Sequence, residues 1–96
     1  MLDDDTITRA LEDLPAWSRD ADAITARFKR RDWQDALAFV NAIGTEAERR
    51  DHHPDLCITG YRTVTVTLTT HSAGGITRRD LDLAAWIDGS SRGQEA

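Results

Sequence analysis

Thr63-Val64-Thr65-Val66-Thr67-Leu68-Thr69-Thr70 alternates hydroxyl-bearing and apolar side chains, the period-two pattern of a strand with one face in a core. Val64, Val66 and Leu68 take the core face, while Thr63, Thr65, Thr67 and Thr69 take the other, and His71 continues that polar face past the strand end. Upstream, Gly60 reads as a turn and Leu56 with Ile58 as a short partner strand, so the stretch belongs to a hairpin. Cys57, between those two apolar residues, reads as a small strand or core residue.

The same alternation recurs earlier, where Ile24, Ala26 and Phe28 interleave with Thr25, Arg27 and Lys29, and Trp17-Ser18 opens a shorter strand to pair with it. Between the two strand pairs the period changes to that of a helix. Asp32 is a good N-cap, and Trp33, Leu37, Val40, Gly44 and Ala47 form one stripe, widened by Ala36, Phe39 and Ile43, which predicts a helix from Trp33 to about Glu48. Pro54 bars continuation and pushes His53 toward extended backbone. At the N-terminus Ile7, Ala10, Leu11 and Leu14 mark a short helix capped by Thr6 and stopped by Pro15. After Gly74-Gly75, Thr77 caps a last helix whose inner stripe is Ile76, Asp80, Leu83, Ala84 and Ile87. Trp33 and Trp86 are expected in a core or interface.

This order predicts an α+β fold, a four-stranded antiparallel sheet with three helices on one face in the order α-β-β-α-β-β-α; a split βαβ arrangement has a similar element order. One domain is expected over residues 1–88, with residues 89–96 a polar disordered tail. The chain of 96 residues with 40% hydrophobic residues supports one modest core. So small a core makes a homodimer or homotetramer the expected assembly.

Seventeen acidic against twelve basic residues give a net charge of -5, which opposes binding to nucleic acid and to anionic membranes. The pairs Arg49-Arg50 and Arg78-Arg79 read as solvated helix-end charges. A single cysteine permits no internal disulfide, and the aspartate-rich start lacks the pattern of a signal peptide, so a cytoplasmic location is expected. No apolar run approaches the roughly 20 residues of a membrane span.

All three histidines fall at two corners: His52 and His53 where the central helix gives way to a strand, and His71 at the end of the best strand. Imidazole exchanges protons near neutrality, so the concentration suits reversible proton transfer. Zinc is the competing use. Adjacent histidines diverge on extended backbone, however, and the spacing matches no two-histidine helical zinc motif, so no metal site is expected. Glu48, Asp51 and Asp80 lie close enough in sequence to orient an imidazole; Asp80, which interrupts an apolar stripe, also sits where an acid favours a helix start. Gly74-Gly75 without further phosphate-loop residues reads as a tight turn.

Glu48, three residues, His52-His53-Pro54, six residues, Tyr61, nine residues, His71, eight residues and Asp80 make a pattern that resembles the signature of the pterin-4a-carbinolamine dehydratases. The resemblance extends over roughly Leu11 to Asp88. One departure is Arg30, where the family usually has an aromatic, which touches packing or an interface. The resemblance implies a lyase that dehydrates a 4a-hydroxytetrahydropterin to the quinonoid dihydropterin without a cofactor. By the same resemblance His52, His53 and His71 are catalytic, Asp51, Thr69, Thr70 and Ser72 bind the pterin, and Glu48 and Asp80 support them. A pterin-dependent aromatic amino acid hydroxylase is the implied functional partner. The alternatives are a non-catalytic dimerisation or assembly module on this fold, and a zinc-dependent hydrolase.

Overall fold

The computed structural model describes residues 1–93. Helix α1 spans Asp4–Glu12, strands β1 and β2 span Trp17–Asp20 and Ala23–Lys29, helix α2 spans Trp33–Arg50, strands β3 and β4 span Asp55–Thr59 and Thr63–Leu68, and helix α3 spans Arg78–Gly93. The four strands form one antiparallel sheet in the order β1-β2-β4-β3. Two hairpins thus lie side by side, joined through α2. The stretch with the clearest alternation becomes an inner strand, β4, whose Val64, Val66 and Leu68 are buried while its threonines are half-buried on the opposite face.

The buried faces of β2 and β4 meet Ile7 of α1, Phe39 and Ile43 of α2, and Leu83 and Ile87 of α3 in a single cluster. Trp17, Phe28 and Phe39 pack edge to face at 6.0 and 5.2 Å between successive ring centres. The buried Trp17 indole also donates from Nε1 to Asp88 Oδ1 at 2.8 Å. Among the described residues no helix is long and apolar enough to cross a membrane.

Several expectations need correction. Asp3, not Thr6, caps α1: its carboxylate accepts from the Thr6 amide at 2.8 Å. The cap sits three residues earlier in the chain than expected. In α2 the buried apolar residues are Ala47 of the expected stripe and Ala36, Phe39 and Ile43 of its widening, so the buried face is centred roughly a quarter turn from the line through Trp33, Leu37, Val40 and Gly44. Trp33 is accordingly 47% exposed, and Trp86 is partly buried against the core. Strand β4 ends at Leu68, so His71 lies beyond it in a 3-10 turn, His71–Ala73. Cys57 lies in strand β3, one of the two places expected for it, with its side chain exposed. Gly60 and Tyr61 both take left-handed backbone, φ 54° and 58°, at the β3–β4 turn, a conformation that glycine adopts at no steric cost.

The last helix overruns its expected end. Residues 89–93 are helical, whereas a disordered tail was expected from residue 89; residues 94–96 lie outside the described residues. Arg30 supplies the reason. This buried side chain donates from Nε to Asp35 at 3.1 Å and from a terminal nitrogen to the Ser91 hydroxyl at 2.9 Å and carbonyl at 3.3 Å. Its guanidinium also lies over the Phe39 ring, 4.4 Å from the centre. Arg30 therefore ties the end of β2 to the start of α2 and the end of α3.

Candidate active site

Helix α2 ends by turning left-handed at Asp51 (φ 51°, ψ 46°), with the Asp51 amide donating to Glu48 O and the His52 amide to Ala47 O at 3.0 Å. These are the paired bonds of a Schellman motif, with aspartate in the position glycine usually fills. The reversal turns the chain back on the body of the protein and buries His52 at 7% exposure. Arg79, at the start of α3, secures it by donating to the carbonyls of Asp51 at 2.6 Å and Arg50 at 3.2 Å. Arg79 is thus not simply a solvated helix-end charge.

Inside this corner His52 Nε2 lies 2.5 Å from Oδ1 of Asp80, which is fully buried. The other Asp80 oxygen accepts from the Thr70 hydroxyl at 2.8 Å and the Thr77 amide at 2.9 Å. Since Thr70 gives its only hydroxyl proton to Asp80, the 2.8 Å contact between the Thr70 and Thr77 oxygens has Thr77 donating. Asp80 therefore does both of the things its position suggested. It satisfies the helix start through Thr77, and it orients an imidazole.

The remaining predicted residues are arranged differently. His53 is exposed and its Nε2 pairs with Glu48 Oε1 at 2.7 Å. His71 is exposed on the 3-10 turn and lines a cavity with Ala21, Asp22, Ala23, Thr69 and Gly74. Thr69 donates its hydroxyl to the Asp22 carbonyl at 2.6 Å; Thr70 points inward; Asp51 and Ser72 are exposed. His52 lines a second cavity with Arg50, Arg79 and Asp82. The polar chain His52–Asp80–Thr70 connects the two histidine-bearing segments, while no hydrogen bond joins two histidines among the described residues. A larger cavity, between the end of α1 and α3, is lined by no histidine. Among the described residues no group of three or more histidine, cysteine, aspartate or glutamate side chains is placed to hold a metal ion.

Charges near the corner are strongly organised. The Arg49 guanidinium, with that of Arg50, holds the Glu46 carboxyl at about 2, far below the usual carboxylate range. Three contributors escaped sequence reasoning: Arg79, Thr77 as a hydroxyl donor, and the β1–β2 turn beside His71. Arg79 is adjacent to Asp80 in the chain, but nothing in the local pattern links residue 22 to residue 71.

Known proteins resemble this chain in sequence and in fold. The family model described as pterin 4 alpha carbinolamine dehydratase matches residues 1–90. A provisionally named pterin-4-alpha-carbinolamine dehydratase of Nocardia farcinica is 48% identical over 92 residues, covering 96% of each chain. Another from Aquifex aeolicus is 44% identical, covering 91% of this chain and 87% of its own. The crystal structure of a transcriptional coactivator/pterin dehydratase from Brucella melitensis superposes with a TM-score of 0.86 at 34% identity, covering 92% of this chain and 95% of its own. A pterin dehydratase-like RuBisCO assembly factor of the alpha-carboxysome shares the fold, with a TM-score of 0.64 at 20% identity over 78% of this chain and 86% of its own. By its matched length and by these identities, the chain belongs to the pterin 4 alpha carbinolamine dehydratase family.

Proposed function

We propose that this protein dehydrates 4a-hydroxytetrahydropterins by histidine acid/base catalysis, within tetrahydropterin recycling. The observation that carries the reading is the buried chain from His52 through Asp80 to Thr70, next to His71. A carboxylate that receives two other hydrogen bonds is fixed in place, and it fixes the imidazole in turn. In the reaction the C4a–O bond breaks. A protonated imidazole gives its proton to the departing hydroxyl, which leaves as water, and a neutral imidazole removes the N5 proton. The electron pair of the N5–H bond forms the C4a=N5 double bond, so the product is the quinonoid dihydropterin and nothing is oxidised or reduced. His52, His53 and His71 are the candidate proton carriers, with Asp51, Thr69, Thr70 and Ser72 around the pterin and Glu48 and Asp80 as supports.

A cytoplasmic homodimer or homotetramer, supplied with substrate by a pterin-dependent aromatic amino acid hydroxylase, completes the proposal. The test is the rate of dehydration of freshly generated 4a-hydroxytetrahydropterin, with the uncatalysed rate subtracted. A rate above background is expected, and none at micromolar enzyme refutes the reading. A non-catalytic dimerisation or assembly role is the second reading, supported by the coactivator half of the Brucella protein's description. It predicts an inactive chain that binds a partner protein.

A further inference from the structure

The cavity between the end of α1 and α3, about 520 Å³ in volume, takes its lining from neither histidine-bearing segment. Leu81, Ala85 and Asp88 recur at helical spacing and present one face of α3 to it, while Leu14 and Phe28 enter from the α1–β1 link and from β2. Its floor is apolar, for Leu14, Phe28 and Leu81 are all buried. One group interrupts that floor. Asp88, only 8% exposed, sets a carboxylate among the apolar side chains.

That carboxylate is held in place but not neutralised. Its Oδ1 accepts from the buried Trp17 indole at 2.8 Å, and no other donor and no cation meets it among the described residues. Arg92, one turn further along α3, makes no ion pair with it. Oδ2 has no donor, yet it is not sealed from solvent, so it opens on the cavity that Asp88 lines. At the rim the exposed Asp13 and Asp82 are offset by Arg78 and Arg92, which leaves Asp88 to decide the sign of what enters.

A cation on an apolar body answers both features of the floor. Its N–H groups can donate charge-assisted hydrogen bonds to Oδ2, and its body removes Leu14, Phe28 and Leu81 from water. An anion meets a buried like charge there, and a neutral ligand takes water from the carboxylate without replacing it by a counter-charge. The volume lies within the range of small-molecule sites, in which apolar walls surround a few placed polar groups.

We propose that this cavity is a second ligand site, which takes a small organic cation: an ammonium or amidinium group on an apolar body the size of a phenyl ring. The proposal does not rest on the dehydratase reading, because none of the candidate catalytic or pterin-binding residues lines the cavity.

The test titrates the full chain with phenethylamine and, separately, with its uncharged counterpart phenethyl alcohol, following the Trp17 indole N–H signal by NMR. That proton is donated to Asp88, so its signal reports on the site, and its loss in Trp17→Phe assigns it. The amine should shift the signal saturably and bind about ten- to a hundredfold more tightly than the alcohol, the scale of a charged hydrogen bond. Asp88→Asn, whose amide oxygen can still accept from Trp17, should bring the amine down to the affinity of the alcohol. Ala85→Trp, which fills the cavity from an exposed position, should abolish binding of both probes. Thermal melts identify the folded variants, and the ratio of amine to alcohol in wild type decides the matter even where Asp88→Asn fails to fold. No saturable shift at millimolar amine, equal affinities for the two probes, or an amine affinity that neither variant changes overturns the proposal. Displacement of the amine by a stable dihydropterin would place it in the histidine cavities and overturn the proposal as well.

Discussion

Arg79 donates to the Asp51 carbonyl at 2.6 Å while its neighbour Asp80 meets His52 at 2.5 Å, so consecutive residues of α3 hold the backbone and the imidazole of one corner. Removing the first hold should let the second relax. Arg79→Ala is expected to lower kcat by about ten- to a hundredfold, the scale of a small misplacement of a catalytic group, with KM changed little. Arg79→Lys, which can still donate to the carbonyls, should retain most of the activity. Both variants should melt close to wild type because Arg79 is exposed. Steady-state kinetics alongside thermal melts would check this, and equal losses in both variants would count against a positioning role.

His52→Ala and His71→Ala should each reduce turnover by about 10²- to 10⁴-fold, the range for positioned acid or base groups. Their effects on stability should differ. His52 is buried against Asp80, and its loss leaves a buried carboxylate short of a partner at a cost of about 1–3 kcal/mol. His71→Ala should unfold at the same urea concentration as wild type, since that side chain is exposed. Wild-type turnover in both folded variants would remove histidine catalysis from the account.

Arg30→Ala removes the buried cation beside Asp35 and releases Ser91; Asp35 keeps the Arg31 amide at 3.0 Å and the Arg31 guanidinium at 3.6 Å, so the cost is that of a lost charged hydrogen bond, about 1.5–3 kcal/mol. Equilibrium urea unfolding should show the loss. In a double-mutant cycle, Arg30→Ala with Asp35→Ala should cost clearly less than the two single losses added together. Additive losses would mean that the two residues act separately.

Acid should remove the contribution of Glu46. Its carboxyl is lowered from 4.5 to about 2 in the folded protein by Arg49 and Arg50, so the unfolded chain binds the proton more readily. The stabilisation is therefore present above about pH 4.5 and disappears as pH falls from there toward 2. Melting temperatures of wild type and Glu46→Gln should differ at pH 7 and converge near pH 2. A constant gap across that range would show that the ion pairs are not its source.

β1 and β3 are the outer strands of the sheet, and unpaired strand edges favour association. Light scattering at micromolar concentration should report a homodimer or homotetramer. A monomer would refute the expected assembly.

Much of this fold could be read from single residues in order, and the reasons vary from one element to another. The alternation of β4 is a local property, and its threonine and valine faces survive any tertiary context. Helix α2 carries two overlapping apolar stripes, and periodicity alone could not tell that Phe39 and Ile43 face the sheet while Trp33 faces water. Asp80 was legible as an oddity on an apolar stripe, and the spacing of the signature tied it to the histidines. The inward turn of His52 was not legible, because it depends on a left-handed Asp51 that no propensity demands. Nor was the extent of α3, which is set by a buried arginine more than sixty residues away in the chain.

The link between His52 and Asp80 spans 28 residues and runs from the end of one helix to the start of the last. During synthesis, which proceeds from the N-terminus, His52, His53 and His71 are all made before the residue that orders the first of them. The strands that surround the corner can pair while His52 still has no fixed orientation. Because α3 also brings Leu83 and Ile87 into the core, docking of the final helix completes the core and arranges the corner in one event.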